Sequence, residues 1–161
     1  MATADAHVLH PGHLPTPFTA DEIRQACRPG RELRMRVERA GQAPTIRVAR
    51  YVGADAEAAV QESWEETLAG ERLDEPERNR ETWLELQDHA SFPSANTAVS
   101  EETIEIPLGR FKCVRYAQTV DDGMRTFWFA FDLPGQPIRW EIRAGDRVIL
   151  SVEVLENISP S

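Results

Sequence analysis

Three histidines near the start of the chain, His7, His10 and His13, carry an H-x-x-H-x-x-H spacing at which imidazoles can share a transition metal. Pro11 prevents a helix from aligning them at i and i+3, and ordering an extended arm around an ion costs conformational entropy, so no metal site is expected. His89 could add a fourth ligand or an acid/base group, but it reads better as a surface or capping residue at the C-terminal end of a helix. Nucleophilic catalysis would need Ser or Cys beside His and a carboxylate, and no G-x-S-x-G turn is present. Cys27 ends a short helix and Cys113 lies in an alternating strand, where a thiol acts as a small core group. The carboxylates Glu65-Glu66, Glu101-Glu102 and Asp121-Asp122 are adjacent, so on a strand each pair points to opposite faces and cannot act as a dyad. Neither G-x-x-x-x-G-K-[ST] nor G-x-G-x-x-G occurs, so a nucleotide lacks its phosphate cradle. No catalytic residue and no cofactor follow from these patterns, and a non-enzymatic protein is expected.

The 161 residues suffice for one domain that buries roughly 70% of the surface of its unfolded chain. Net charge is −9, and residues 55–105 hold 15 Asp/Glu against 3 Arg, so that segment alone carries −12 and the remainder +3. Such a surface repels phosphate backbones and anionic lipid, which disfavours nucleic acid as a partner and leaves a basic partner open. The plainer expectation is a solvated acidic face that aids solubility. Residues 1–17 show no basic n-region and no apolar run, and no segment approaches 18 apolar residues, so neither a secretion signal nor membrane insertion is expected and a cytoplasmic location follows.

Residues 1–17, with Pro11, Pro15 and Pro17, suit an extended arm. Thr19 and Glu22 form a T-x-x-E capping box, with Phe18 and Ile23 as its hydrophobic staple, so a helix begins near Ala20 and ends before Pro29-Gly30. A helix so short must pack on something, and a sheet is the natural partner. Leu33, Met35 and Val37 alternate with charged residues, as do Ile46 and Val48 beyond the turn at Ala40-Gly41-Gln42, which predicts a hairpin; residues 59–67 predict a third, half-exposed or edge strand. Residues 68–80 read as a connection. Over residues 76–89 a helix capped by Asp74 or Glu77 is favoured over a strand, because Glu, Arg and Leu dominate. Ile104 and Ile106 precede Pro107, and strands are expected over 111–119, 125–131, 138–144 and 147–155, with a hairpin turn at Asp121-Asp122-Gly123. One strand is unusual: Phe127, Phe129 and Phe131 line one face while Trp128 and Ala130 lie on the other, so both faces need cover. A curved sheet that holds a helix or cavity on its concave side meets that need.

The run from Thr103 through Ile106, Pro107-Leu108-Gly109 and Phe111 to Cys113, then Tyr116, the Asp-Asp-Gly turn, residues 127–130 and Leu133-Pro134-Gly135-Gln136-Pro137-Ile138, resembles the C-terminal half of bacterial domains of the LolA/LppX lipoprotein-carrier fold, including the DUF3108 group. The resemblance covers residues 100–156 and rests on turn and strand residues. It implies an incomplete barrel wrapped over helices around an apolar concavity, where envelope relatives bind acyl chains. The absence of a signal peptide or lipidation cysteine near the start departs from those relatives.

The expected fold is therefore α+β and mainly antiparallel β, with about eight strands in a strongly curved sheet on one or two helices: an arm over 1–17 and a single domain over 18–157. The expected function is binding of a hydrophobic small molecule or acyl chain in the concavity, with Trp64, Trp83, Phe111, Phe127, Phe129 and Trp140 as candidate lining. The alternative is a protein-interaction module with a filled core that acts through the acidic segment 55–105 or as a homodimer. An enzyme that uses the histidine arm or His89 ranks last. Which aromatics face a pocket depends on register, since a slip of one residue exchanges the faces.

Overall fold

The computed structural model describes residues 5–160. Thr19 caps α1 (Ala20–Ala26) as its T-x-x-E spacing predicts: the Glu22 backbone N–H donates to Thr19 Oγ1 at 3.2 Å, and the Thr19 N–H donates to Glu22 Oε1 at 3.0 Å. The first half of the chain continues with β1 (Glu32–Arg39), β2 (Thr45–Ala54), β3 (Ala58–Glu66), β4 (Glu77–Thr82) and α2 (Trp83–Asp88). The second half is a meander of β5 (Thr97–Ile106), β6 (Gly109–Val120), β7 (Gly123–Ala130), β8 (Arg139–Ala144) and β9 (Arg147–Ile158).

All the described strands join one antiparallel sheet in the order β4-β3-β2-β1-β9-β8-β7-β6-β5. The two meanders meet at β1 and β9, which exchange hydrogen bonds from Glu32 to Arg39. Register shifts at Arg34/Met35, Tyr51/Gly53 and Ile142/Arg143 place bulges along this seam and its flanks, and bulges bend and twist a sheet. The bend brings Ile104, Ile106 and Cys113 of the outer strands into one cluster with Met35, Val37, Val152 and Val154 of β1 and β9. The sheet stays open, so the architecture is α+β with mainly antiparallel β, a curved sheet and two short helices. No helix among the described residues is long and apolar enough to cross a membrane.

Residues 76–89 depart from the expected single helix. Glu77–Thr82 pairs with β3, and only Trp83–Asp88 is helical. The strand is nearly all exposed and polar, so it carries no periodic apolar signal; cross-strand pairing holds it, including Arg78 Nη2 on Glu62 Oε1 at 2.5 Å. Neither Asp74 nor Glu77 caps the helix. Asp74 accepts the Glu65 N–H at 2.9 Å, and the cap is a second capping box made by Thr82 and Glu85. The Thr82 N–H holds the Glu85 carboxyl below its usual range. The connection between the halves therefore shortens. β5 also begins well before Ile104, since its outer residues are exposed and show no alternation.

The arm packs closely over residues 5–17, residues 1–4 lying outside the described part. The Leu14 N–H donates to Phe92 O at 2.8 Å, and Tyr116 Oη donates to Pro15 O at 2.7 Å. Gln87 pins the arm to both helices: its Nε2 donates to Ala6 O and Thr16 Oγ1, both at 2.9 Å, while its Oε1 accepts the Ala20 N–H at 2.9 Å. Its side chain is buried. Gln87→Leu keeps the volume but strands these partners, and is expected to cost about 2 kcal/mol in urea unfolding. A change below about 0.5 kcal/mol would show that the arm is held elsewhere.

Candidate functional site

Residues paired directly across antiparallel strands share a face. Phe127 lies opposite both Tyr116 and Trp140, and Tyr51 lies opposite Gln61, so these side chains lie on the face that carries the helices. Between that face and the helices is a cavity of about 420 Å³. Volumes of several hundred Å³ are typical of small-molecule sites.

The cavity has an aromatic wall and a polar wall. Phe127, Phe129 and Trp140 from β7 and β8 form the first, and Phe18, just before α1, with Ile23 of α1 and Leu86 of α2 roof it. Phe129 is buried and meets Phe18 and Tyr116 edge to face, with centroids 6.4 and 5.8 Å apart. Phe127 and Trp140 are only half-buried, and Phe127 stacks on Phe92 at 5.2 Å. The opposite wall consists of Arg47, Gln61 and Glu81 from β2, β3 and β4. His89, the C-cap of α2, adds an imidazole whose Nε2 lies 2.5 Å from Glu81 Oε2. Gly135 and Gln136, in the loop after β7, close one side.

Gly135 has a φ of +130°, and a Cβ there would lie 3.1 Å from Cys27 Sγ and 3.2 Å from Arg31 Nη1. That loop is tied down by Arg31, a buried side chain whose Nη1 donates to Pro134 O at 2.8 Å and to Cys27 Sγ at 3.1 Å, and whose Nε donates to Asn157 Oδ1 at 3.1 Å. Beside this cluster, burial foremost and the contact with Cys27 next raise the Tyr51 phenol far above its ordinary range, so it stays neutral.

Of the residues expected at the site, Phe127, Phe129 and Trp140 meet at the cavity. Trp83 lies in the helix–sheet core behind it, where its Nε1 donates to Asp55 O at 2.9 Å. Phe111, opposite Ile104, packs against the cluster around β1 and β9. Trp64 is on the other face of the sheet, opposite Val48, between the guanidinium groups of Arg50 and Arg72 at 5.1 and 4.6 Å. Its Nε1 donates to Glu66 at 2.8 Å, and that bond, followed by Arg34, draws the Glu66 carboxyl below its usual range.

The alternating aromatic strand is covered on both sides, but only in part by the cavity. Trp128 is clamped between Arg115 and Arg139, with centroid distances of 5.6 and 4.9 Å, and donates to Glu102 at 3.0 Å. Phe131 lies beyond the end of β7 and is exposed.

The histidines of the arm are parcelled out. His7 Nδ1 lies 2.8 Å from Thr16 O, His10 Nε2 lies 2.6 Å from Asp88 Oδ1, and His13 Nδ1 lies 2.9 Å from Ser91 Oγ. Among the described residues no group of three or more His, Cys, Asp or Glu is disposed to hold a metal ion. Cys27 and Cys113 are free, buried and in separate clusters, and burial pushes the Cys113 thiol up to about 11, so it stays protonated at neutral pH.

Sequence reasoning missed the polar wall. Arg47, Gln61 and Glu81 occupy strand positions where a polar side chain normally marks a wet face, and no local signal distinguishes water from a cavity under two helices. No family model, curated protein or solved structure matches the chain.

Proposed function

We propose that the protein is a non-enzymatic binder of a hydrophobic small molecule or acyl chain, held in the concavity between its curved sheet and its helices. The observation that carries this reading is the pair of half-buried aromatics, Phe127 and Trp140, side by side on adjacent strands and facing a cavity of about 420 Å³. Packed cores rarely leave voids larger than a water molecule, so rings left bordering open volume signal an occupant. The likeness of residues 100–156 to the lipoprotein-carrier fold points the same way by analogy. The cavity lining among the described residues has no Ser, Thr, Cys or Lys, so no side chain of these kinds stands beside the His89–Glu81 pair as a covalent nucleophile.

The interaction-module alternative draws on the acidic segment 55–105, and that segment has another physical role. It supplies both edge strands, β4 and β5, with Glu77 and Glu81 on one and Glu101, Glu102 and Glu105 on the other. β4 alternates its carboxylates with Arg78 and Arg80, whereas the only charged residues of β5 are carboxylates, so a homodimer formed through its β5 edge would set like charges against each other.

Nile red titration tests the reading. One dye per chain should bind with a blue-shifted emission, and Leu86→Trp, which enlarges a roof side chain, should weaken binding about tenfold or more while circular dichroism stays unchanged. No saturable binding, or equal binding by Leu86→Trp, contradicts it.

A further inference from the structure

The two ends of the polar wall differ in charge, and that difference bears on the ligand. Arg47 lies opposite Glu65 on β3, while Glu81 lies opposite Ala59 on the same strand. Glu65 and Ala59 are six positions apart, roughly 20 Å of strand, so the two charged groups lie toward opposite ends of the wall. At one end, Glu81 is occupied by His89. At the other, Arg47 is exposed and has no ion pair or side-chain hydrogen bond among the described residues. Its neighbour across the strand pair, Glu65, is engaged elsewhere: Oε1 accepts from Arg39 Nη2 at 2.7 Å and from Thr45 Oγ1 at 3.1 Å. Met35 lies opposite Arg47, and Gln136 Nε2 donates one N–H to Met35 Sδ at 2.9 Å, which leaves its second amide N–H as a donor on the same side.

Resting on the reading of the cavity as a ligand site, we propose that its ligand is an anionic amphiphile. The apolar body lies against Phe127, Phe129 and Trp140, and a carboxylate head is held at the mouth by the Arg47 guanidinium with help from Gln136. A guanidinium matches a carboxylate with two parallel N–H donors, and an exposed one contributes more to choosing the head group than to total affinity. The whole chain carries −9, so an anion arrives against the long-range field and only a local cation can select it.

Nile red displacement by decanoate and by decan-1-ol, at neutral pH and low ionic strength, tests this in the wild type and in Arg47→Gln. The variant is expected to lower the ratio of decanoate to decanol affinity about tenfold, with Arg47→Lys retaining part of the preference. A ratio that Arg47→Gln leaves unchanged overturns the head-group assignment and leaves the cavity reading standing. If neither compound displaces the dye from the wild type, both fall. Arg47 is exposed, so loss of folding does not confuse the outcome; circular dichroism of each variant checks it.

Discussion

Trp83→Ala is expected to lower the unfolding free energy by about 3–5 kcal/mol, read from urea titration. Trp83 is 4% exposed and is the first residue of α2, a helix of six residues that cannot persist in water alone. Its ring packs in one cluster with Phe18 at the entry to α1, with Ile23 of α1 and with Tyr51 and Ala59 of the sheet, so it joins both helices to the strands beneath. It is also tied twice to the β2–β3 turn, through Nε1 on Asp55 O and its own N–H on Glu57 O at 3.1 Å. Trp83→Phe keeps most of the buried area, loses the indole bond and should cost about 1 kcal/mol more than a pure volume change. Because α2 roofs the cavity, Trp83→Ala should also abolish Nile red binding under conditions where the chain remains mostly folded. A loss under about 1 kcal/mol would mean that α2 is held by its capping box and Gln87 alone.

The second large effect is expected at Gly123. A Cβ there would lie 2.0 Å from the Arg143 backbone oxygen and 3.1 Å from its carbonyl carbon, both rigid parts of the paired strand β8. Gly123→Ala must therefore push β7 and β8 apart where the β8–β9 pairing already shifts register at Ile142/Arg143. Overpacking against movable side chains costs about 1–3 kcal/mol, and a backbone contact is less yielding, so roughly 3 kcal/mol is expected. The neighbouring Asp121, with φ +41°, should tolerate Gly and gain slightly from relief of its left-handed conformation. A Gly123→Ala variant within about 0.5 kcal/mol of wild type would contradict this close approach.

These sites show which parts of the molecule are legible in the chain. The Asp121-Asp122-Gly123 turn reads as a hairpin, and it is one, but the need for glycine comes from the carbonyl of Arg143, a contact twenty residues away in sequence. Thr19–Glu22 announces α1 because a staple and a proline–glycine stop surround it. Thr82–Glu85 has the same spacing, yet it is buried in a charged run where Asp74 and Glu77 offer equally plausible caps; only the pairing of Glu77–Thr82 with β3 places the true start at Trp83. Alternation reveals β1, β2 and the last strands, whose apolar faces enter the core, and fails for β4 and the outer part of β5, where neither face does.

The site is legible by halves. Phe127, Phe129 and Trp140 stand out as more aromatic surface than one sheet face can use, and they meet at the cavity. Trp64 and Trp83 carry the same composition signal and serve packing instead, one against arginines and the other under the helices, because residue type does not encode which face a strand turns inward. Arg47, Gln61 and Glu81 depend on two helices returning over the sheet from distant parts of the chain, which leaves no trace in their own surroundings.

Native mass spectrometry of gently purified protein from its own host, followed by organic extraction and analysis of what is released, decides whether the concavity carries a ligand. One apolar molecule bearing an acidic head per chain is expected, lost on extraction and restored by decanoate. A bare chain that takes up neither decanoate nor Nile red would contradict it.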